Sequence, residues 1–290
     1  MASRLDQLLV ERGLFPSREQ ARRAVMAGLI RVDGLRMDKP GTAVAAAAAL
    51  EVAAREPFVS RAGRKLAAAL DHYGLDPAGW VCLDVGASTG GFTHCLLERG
   101  ARRVYALDVG HGQLDPRLRH DPRLVVMEGV NARHLAASAL PEPCDLITVD
   151  VAFISLLKVV PALLPHLRRP ATAIPGAGDA GGYLLALIKP QFEAGRGAVG
   201  KGGILRDEGL RRRVIEECAG GLAEISAIDE IGAIGEIGEI GKAGEIGDHA
   251  AGVPAPPAAA LELIGPCFDS PVAGSGGNRE AFALLRRRVR

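Results

Sequence analysis

The sequence predicts an α/β protein in which a Rossmann-like, doubly wound sheet follows a small α+β domain. Three observations support this prediction. Residues 81 to 98 have the pattern of a buried strand, a glycine-rich loop and a helix, the opening unit of a doubly wound sheet. Further apolar runs follow, and several end in a charged residue. Residues 1 to 54 have helix caps, turns and an apolar face of their own, which indicates a separate domain.

The composition is that of a globular protein without a strong overall charge. The 290 residues are 48% hydrophobic and carry a net charge of +1, so no global field indicates a nucleic-acid partner. The part up to Lys65 differs, because twelve Lys or Arg against seven Asp or Glu give it a local charge of +5. The longest apolar region, residues 146 to 164, is interrupted by Asp150, Lys158 and Pro161, and the amino terminus has no apolar signal segment. We therefore expect no membrane contact.

The five cysteines are an odd number and have no C-x-x-C spacing. This pattern argues against a disulfide framework and against a zinc site. We expect reduced thiols in a monomeric, cytoplasmic protein that binds no metal.

Two helices and a hairpin are predicted in the first domain. Ser3 and Asp6 are expected to cap a first helix, and Ser17 a second helix that ends at Gly28. Residues 29 to 32 and 35 to 37, joined by an Asp-Gly turn, form the hairpin. Arginines at helical spacing line the exposed face of the second helix, and further basic residues flank it. A row of this kind is often only a solvated surface.

The order of the motifs favours an RNA-binding surface over a merely solvated one. Arg-Leu-Asp-x-x-Leu-x-x-Arg-Gly-Leu is followed by Ser-Arg-x-x-Ala, by Gly-x-Ile-x-Val-Asp-Gly and by Lys-Pro-Gly. This order resembles the S4-type RNA-binding domain, over roughly the first fifty residues. Arginines on a rigid helix can contact phosphates and read the shape of a folded RNA. The basic residues predicted to bind RNA are Arg4, Arg18, Arg22, Arg23, Arg31 and Lys39.

A short connection, residues 55 to 60, leads into the second domain, residues 61 to 290. Ser60 is expected to cap a helix that ends before Gly74. The predicted strands are residues 81–85, 103–108, 124–127, 145–149, 183–188 and 279–285, and the predicted helices after the first are 93–98, 161–167 and 203–221. Residues 224 to 260 are repeats of Glu-Ile-Gly and Ala-Ile-Gly with a Pro- and Ala-rich end, which indicates a flexible insertion.

The glycine-rich loop after the first strand indicates a ligand site. Its G-x-x-x-G-G order disfavours the G-x-G-x-x-G dinucleotide fingerprint, and the lack of a following Lys-Ser or Lys-Thr excludes a Walker phosphate loop. The D-x-G-x-x-x-G-G pattern instead resembles the first motif of methyltransferases that use S-adenosylmethionine. That resemblance implies a loop facing the methionine portion, with Asp84 near its ammonium group. A strand-to-helix turn that binds nothing is the alternative.

Acids at later strand ends extend this site. Asp108 follows Asp84 at the usual distance for an acid that binds a ribose diol, and Glu128 and Asn131 are placed at the adenine edge. The residues predicted to bind the cofactor are Asp84, Gly86, Ser88, Thr89, Gly90, Gly91, Phe92, Asp108, Glu128 and Asn131.

Four charged residues are predicted to share the crevice at the carboxyl ends of the strands. Asp150 and Lys189 end two strands, Lys65 precedes the first strand, and Glu280 lies in the last one. A lysine can take a proton from a ribose hydroxyl only if its pKa is lowered, which neighbouring positive charge promotes. The set resembles the Lys-Asp-Lys-Glu tetrad of RNA 2′-O-methyltransferases of the FtsJ/RrmJ type. That resemblance implies Lys189 as base, Lys65 and Asp150 as positioning groups, and Glu280 as an orienting acid.

The contexts of these residues resemble one family in particular. Val-Ser-Arg-Ala-Gly-Arg-Lys-Leu, Thr-Val-Asp-Val-Ala-Phe-Ile-Ser-Leu, Leu-Ile-Lys-Pro-Gln-Phe-Glu and Gly-Asn-Arg-Glu are similar to segments of the TlyA (hemolysin A) group. The resemblance implies an S4-type domain joined to a class I methyltransferase sheet, and methylation of a cytidine ribose in ribosomal RNA on subunits or precursors. The alternatives are a non-catalytic ribosome-binding or assembly factor and, with little physical support, a hemolysin.

Overall fold

The computed structural model describes residues 2–53, 56–170, 181–195, 199–200, 202–225, 260–274 and 276–288. The chain divides into two compact units, Met1–Pro57 and Phe58–Arg290. Of the predicted insertion at 224 to 260, only residues 224, 225 and 260 are described. Glu224 ends a helix and Ile225 follows it. Most of the predicted loop at 170 to 182 also falls outside them.

The first unit is a small α+β module. Its elements in chain order are β1 (Ala2–Arg4), α1 (Leu5–Glu11), α2 (Arg18–Met26), β2 (Ile30–Val32), β3 (Leu35–Met37), β4 (Ala43–Ala45) and β5 (Leu50–Val52). Strand β2 pairs antiparallel with both β3 and β5, and β1 pairs with β4. Apolar side chains of both helices and of β2, among them Leu5, Leu9, Val25 and Ile30, form the core.

The expected capping in this unit is half confirmed. The Ser17 hydroxyl accepts the backbone N–H of Gln20, as predicted, and α2 begins at Arg18. The prediction that Ser3 and Asp6 cap the first helix is wrong. Ser3 lies in β1, the helix has no side-chain cap, and Asp6 is buried against two arginines.

The second unit contains a mostly parallel sheet covered by helices, so the predicted fold class is confirmed. Its elements in chain order are α3 (Ala62–Tyr73), β6 (Val81–Val85), α4 (Gly91–Glu98), β7 (Arg103–Asp108), β8 (Leu124–Glu128), β9 (Leu146–Val149), α5 (Leu156–Leu163), β10 (Tyr183–Ile188), α6 (Pro190–Glu193), α7 (Glu208–Glu224), β11 (Leu261–Leu263), β12 (Phe268–Asp269) and β13 (Ala281–Arg287). The strand order is β11-β13-β10-β9-β6-β7-β8, and β12 also pairs with β13.

The topology brings several strand ends to one edge of this sheet. Strands β10, β9, β6, β7 and β8 run parallel, so their carboxyl ends lie together. Strand β13 is antiparallel to β10, with Ala281 opposite Ile188, so its beginning lies at that same edge. Glu280 therefore precedes the last strand and does not lie within it, which corrects the prediction of a strand at 279–285.

Apolar side chains on alternate strand positions face two helical layers. Leu83 and Val85 of β6 pack on the side of α5 and α7, whereas Cys82 packs on the side of α3 and α4. Helix α5 begins at Leu156 and continues through Pro161, so the predicted helix at 161–167 is misplaced by five residues at its start. The predicted helix at 203–221 begins instead at Glu208, where Asp207 accepts the backbone N–H of Leu210.

The predicted cap at Ser60 is also wrong. Helix α3 begins at Ala62 without a side-chain cap, and the buried Ser60 hydroxyl has no hydrogen-bond partner among the residues that the structure describes. The predicted end of this helix is confirmed, because Gly74 adopts the left-handed conformation with φ +65°.

Candidate active site

A cavity of about 660 Å³ lies at the edge of the sheet where the parallel strands end. Volumes of this size are typical of small-molecule and cofactor sites. Its wall includes the glycine-rich loop after β6, the ends of β7 and β9, and Lys189 after β10. Of the residues predicted to bind a cofactor, the wall contains Gly86, Ser88, Thr89, Gly91, Phe92, Asp108 and Asn131.

The glycines of the loop are needed for packing against the protein itself. A Cβ on Gly86, where φ is +84°, would lie 2.4 Å from the backbone oxygen of Asp150. A Cβ on Gly91 would lie 2.3 Å from the Ser60 hydroxyl oxygen, and one on Gly90 would meet leucine side chains outside the cavity wall. Protein atoms therefore fill the space beside each of these glycines, and Gly86 and Gly91 also line the cavity.

Asp84 lies behind the loop and is absent from the cavity wall. Its carboxylate is fully buried and accepts hydrogen bonds from the Thr93 hydroxyl at 2.6 Å and the Thr148 hydroxyl at 3.1 Å. Burial raises the pKa of Asp84 to about 7, although both hydroxyls oppose this rise. The structure thus places Asp84 as a link between β6, α4 and β9 beneath the loop, whereas the resemblance placed it against a ligand.

Asp108 holds the loop from the other side and lines the cavity. One carboxylate oxygen accepts the backbone N–H of Ser88 at 2.8 Å, and the other accepts the N–H of Gly110 at 2.7 Å. Ser88 is one of three described non-glycine residues with positive φ, at +47°. A carboxylate with spare lone pairs at this position can accept bonds from a diol.

Asn131 and Glu128 lie in different pockets. Asn131 lines the cavity and caps a short 3-10 helix, Ala132–His134, by accepting the Arg133 N–H at 3.0 Å. Glu128 instead lines a smaller neighbouring pocket and pairs with Arg119. The backbone N–H of Gly112 and the Arg119 guanidinium lower the pKa of Glu128.

The four residues predicted to be catalytic form two ion pairs. Lys189 Nζ lies 2.6 Å from Asp150 Oδ1, and both residues line the cavity. Lys65 Nζ lies 2.6 Å from Glu280 Oε2, and both of these side chains are buried. Lys65 and Glu280 are not in the cavity wall. The strand topology nevertheless puts Glu280 at the same sheet edge as Lys189, because β13 and β10 are hydrogen-bonded neighbours.

The predicted RNA-binding residues of the first unit are all exposed. Asp6 binds two of them: its carboxylate, fully buried, lies 3.1 Å from nitrogens of both Arg4 and Arg18. These hydrogen bonds, first that of Arg4, lower the pKa of Asp6. Arg23 pairs with Glu19 one helical turn away. Residues Arg22, Arg31 and Lys39 complete the set.

An aromatic pair beside the cavity, exposed Phe153 and half-buried Phe192, was missed in the sequence. Phe153 is 91% exposed with φ +64°, lines the cavity, and lies 4.9 Å from Phe192 between ring centroids. Both rings, with Arg133 and Lys158, line a second cavity of about 780 Å³. The apolar run around Phe153 resembles a buried segment, so periodicity does not reveal its exposure. A strained, exposed aromatic residue at a site edge is typical of a functional position.

The described ranges contain neither a metal-binding cluster nor a membrane-spanning helix. Within them no cluster of His, Cys, Asp or Glu is arranged to hold a metal ion. Among the helices of those ranges, none has the length and apolarity to cross a bilayer.

Comparisons with known proteins match both parts of the chain. Residues 58–224 match the model of the FtsJ-like methyltransferases, and residues 3–47 match that of the S4 domain. The 16S/23S rRNA (cytidine-2′-O)-methyltransferase TlyA of Mycobacterium tuberculosis is 41% identical over 286 residues, covering 98% of this chain and 90% of that protein. Hemolysin A of Brachyspira hyodysenteriae is 39% identical over 213 residues, covering 73% of this chain and 84% of that protein.

A solved structure shows the same similarity. A protein from Streptococcus thermophilus, described as a hemolysin, superposes with a TM-score of 0.63 at 33% identity, over 99% of this chain and 88% of that one. The similarity therefore extends over both units of the chain.

Proposed function

The chain belongs to the TlyA family of FtsJ-like methyltransferases with an S4 domain, and on that premise we propose that it methylates the 2′-hydroxyl of a ribose, that of a cytidine, in ribosomal RNA. The methyl donor we propose is S-adenosylmethionine. The observation that supports this proposal best is the Lys189–Asp150 pair in the wall of the glycine-loop cavity. An RNA substrate agrees with a site of action in the cytoplasm, and we propose that the protein acts there as a monomer.

The residues of the cavity fit the proposed donor. Its volume of about 660 Å³ suits a nucleoside joined to an amino acid. Asp108 offers carboxylate oxygens to a ribose diol, and Asn131 lies next to the apolar Val130 on the side where an adenine would lie. The Ser88 and Thr89 hydroxyls line the loop end of the cavity, where polar groups of the amino-acid part would need partners. When bound, the donor supplies an electrophilic methyl group on a sulfonium.

We assign the proton transfer to Lys189. Transfer of a methyl group to the ribose oxygen would release the hydroxyl proton, and Lys189 Nζ would accept that proton. A lysine does this in its neutral form. The Asp150 carboxylate, 2.6 Å from Nζ, fixes the position of the amine at the end of β10. The residue before a proline avoids helical geometry, and Lys189 is accordingly extended, with ψ at 96°.

We assign orienting roles to Lys65 and Glu280. Their ion pair is nearly removed from solvent, with side-chain exposures of 10% and 3%. A buried pair with one partner removed leaves an uncompensated charge, so each holds the other in place. Through Glu280, which lies at the same sheet edge as Lys189, this second lysine is held near the reacting groups.

Phe153 provides a surface for a nucleobase. Sequence-tolerant recognition of unpaired bases relies on stacking against exposed aromatic rings. A ring that is 91% exposed beside the cavity, braced by Phe192, has this geometry. Arg133 lines both cavities and offers a cation to a phosphate nearby.

We assign RNA docking to residues 1 to 54, with residues 55 to 60 as a connection and 61 to 290 as the catalytic domain. The six exposed basic residues of the first unit support this division of work. Arg4 and Arg18 stand out because one buried carboxylate holds both guanidinium groups. Groups held in this way can meet phosphates with less loss of side-chain entropy.

The test uses purified protein, tritiated S-adenosylmethionine and ribosomal subunits from cells that lack the protein. We expect methyl incorporation into RNA, at a 2′-O position that mapping then identifies. Lys189→Ala should abolish transfer while binding of donor and RNA remains, and Lys189→Arg should also be inactive, because arginine keeps the charge but does not act as a base at neutral pH.

Other outcomes separate the alternatives. Binding to subunits without any transfer would indicate a ribosome-binding or assembly factor. Lysis of liposomes at low protein concentration would support the function named for the hemolysin relatives. Full activity in Lys189→Ala would remove Lys189 from the mechanism.

A further inference from the structure

Glu280 lies in a space that a glycine leaves open. A Cβ built on Gly274 would lie 2.2 Å from Glu280 Oε1 and 2.8 Å from its carboxyl carbon. Contacts this short do not occur between real atoms, so the carboxylate occupies the volume that any side chain at position 274 would need. The backbone at Gly274 has no left-handed φ, in contrast to Gly276 and Gly277. Space, and not backbone conformation, is therefore what requires glycine here.

The same carboxylate is engaged on its other side. Oε2 of Glu280 lies 2.6 Å from Lys65 Nζ, while Oε1 faces Gly274. Glu280 is 3% exposed, so a displaced carboxylate would not gain solvent in compensation. An added methyl group at position 274 must therefore displace the Glu280 carboxylate relative to Lys65.

The backbone that carries Gly274 is held in place by Asn278. The Gly274 N–H donates to the Asn278 carbonyl at 2.9 Å. The Asn278 side chain, itself buried, donates to the Gly203 carbonyl at 2.8 Å and accepts the Leu205 N–H at 2.9 Å. Because both ends of this contact are anchored, relief of a clash at Gly274 falls on the Glu280 side chain rather than on the backbone.

We propose that Gly274 is a positioning residue for methyl transfer: its missing side chain fixes where the Glu280 carboxylate, and through it Lys65, is held. This inference rests on the proposed function, in which Lys65 and Glu280 orient the reacting groups. Gly274 touches no reacting atom and acts only through Glu280.

The first experiment compares Gly274→Ala with Gly220→Ala. Gly220 lies in α7, where an added Cβ meets nothing within 4 Å, so the same chemical change there displaces no atom. We expect the single-turnover rate of Gly274→Ala to fall roughly 10- to 100-fold, since a misplacement of about 1 Å costs this much. Its affinities for S-adenosylmethionine and for ribosomal subunits should stay within about twofold of those of the parent. Gly220→Ala should keep the parental rate.

The second experiment is a double-mutant cycle with Glu280→Asp. Shortening the acid by one methylene withdraws it from the place of the new methyl group, so Gly274→Ala should cause no further loss in the Glu280→Asp background. Equal losses from Gly274→Ala in both backgrounds would refute the inference, because the glycine would then act on something other than Glu280. A parental rate in Gly274→Ala would refute it as well.

The proposed function fails in a different way. If Glu280→Ala keeps the parental rate, Glu280 has no role in the reaction, and the assignment of the second ion pair is wrong whatever Gly274→Ala does. If Glu280→Ala is slow and Gly274→Ala is not, only the inference about Gly274 is wrong.

Discussion

Replacing Asp84 by asparagine should change how the stability of this protein depends on pH. The parent carboxyl is fully buried between two threonine hydroxyls, and its pKa is raised to about 7 from the usual 3.8. Asparagine keeps the shape and an acceptor for Thr93. The Thr148 hydroxyl, also 3.5 Å from the Leu83 carbonyl, can turn its proton toward that oxygen and accept from the new amide.

The sign follows from proton binding. Between pH 3.8 and about 7 the folded protein holds the Asp84 proton and the unfolded chain does not, so the free energy of unfolding falls as pH rises. The full shift corresponds to about 4 kcal/mol at 1.36 kcal/mol per unit. More than half of this should appear between pH 5 and pH 8. Above about pH 8 and below about pH 3 the dependence vanishes.

The assay is urea unfolding at 25 °C for the parent and Asp84→Asn across that pH range. Other titrating groups contribute equally to both proteins, so their difference isolates Asp84. We expect the parent to lose stability relative to Asp84→Asn as pH rises. Parallel curves would refute the reasoning, because the carboxyl would then have the same pKa in both states.

The remaining predictions concern the loop, the aromatic residue and the basic surface. Gly86→Ala should destabilise the protein by more than Gly202→Ala in urea unfolding, since both have positive φ and cost about 1 to 2 kcal/mol for that reason, but only the first also meets a backbone oxygen. Equal losses would show that the contact with Asp150 is unimportant. Phe153→Ala should raise the apparent KM for ribosomal subunits, and a parental KM would contradict stacking. The affinity for the donor, measured by titration calorimetry, should not change. Exchange of Arg18 and Arg22 for alanine should weaken binding of ribosomal subunits and flatten its dependence on salt, and an unchanged salt slope would remove them from the interface.

Local pattern predicted the central strands well. Strands β6 and β10 begin and end at the predicted residues, because continuous apolar runs bounded by turn or proline signals leave little choice. The short strands β1, β4, β5, β11 and β12 were missed. They are three residues long or shorter, and β4 lies in an alanine-rich segment with little strand propensity.

Tertiary packing explains why helix α5 begins before the predicted residue. A proline inside a helix removes one backbone hydrogen bond, and a helix starting at Pro161 was the natural prediction. Residues Leu156, Val159 and Val160 are nevertheless buried against the sheet. Their burial outweighs the lost bond, so the helix begins at Leu156, after the Ser155 cap, and passes through Pro161.

The identity of the four charged residues could be predicted, but their pairing could not. Motif contexts pointed to Lys65, Asp150, Lys189 and Glu280 one by one, and nothing in a linear sequence says which lysine meets which acid. The pairing depends on β13 running antiparallel beside β10, and these strands are about ninety residues apart in the chain. The entropic cost of closing so long a loop depends on its length and not on its sequence, so local motifs do not reveal the contact.

The pairing supports the proposed division of roles between the two lysines. Lys189 shares the cavity wall with its carboxylate, which agrees with the proposed role as base. Lys65 is held by Glu280 outside that wall, which agrees with the proposed positioning role of this pair.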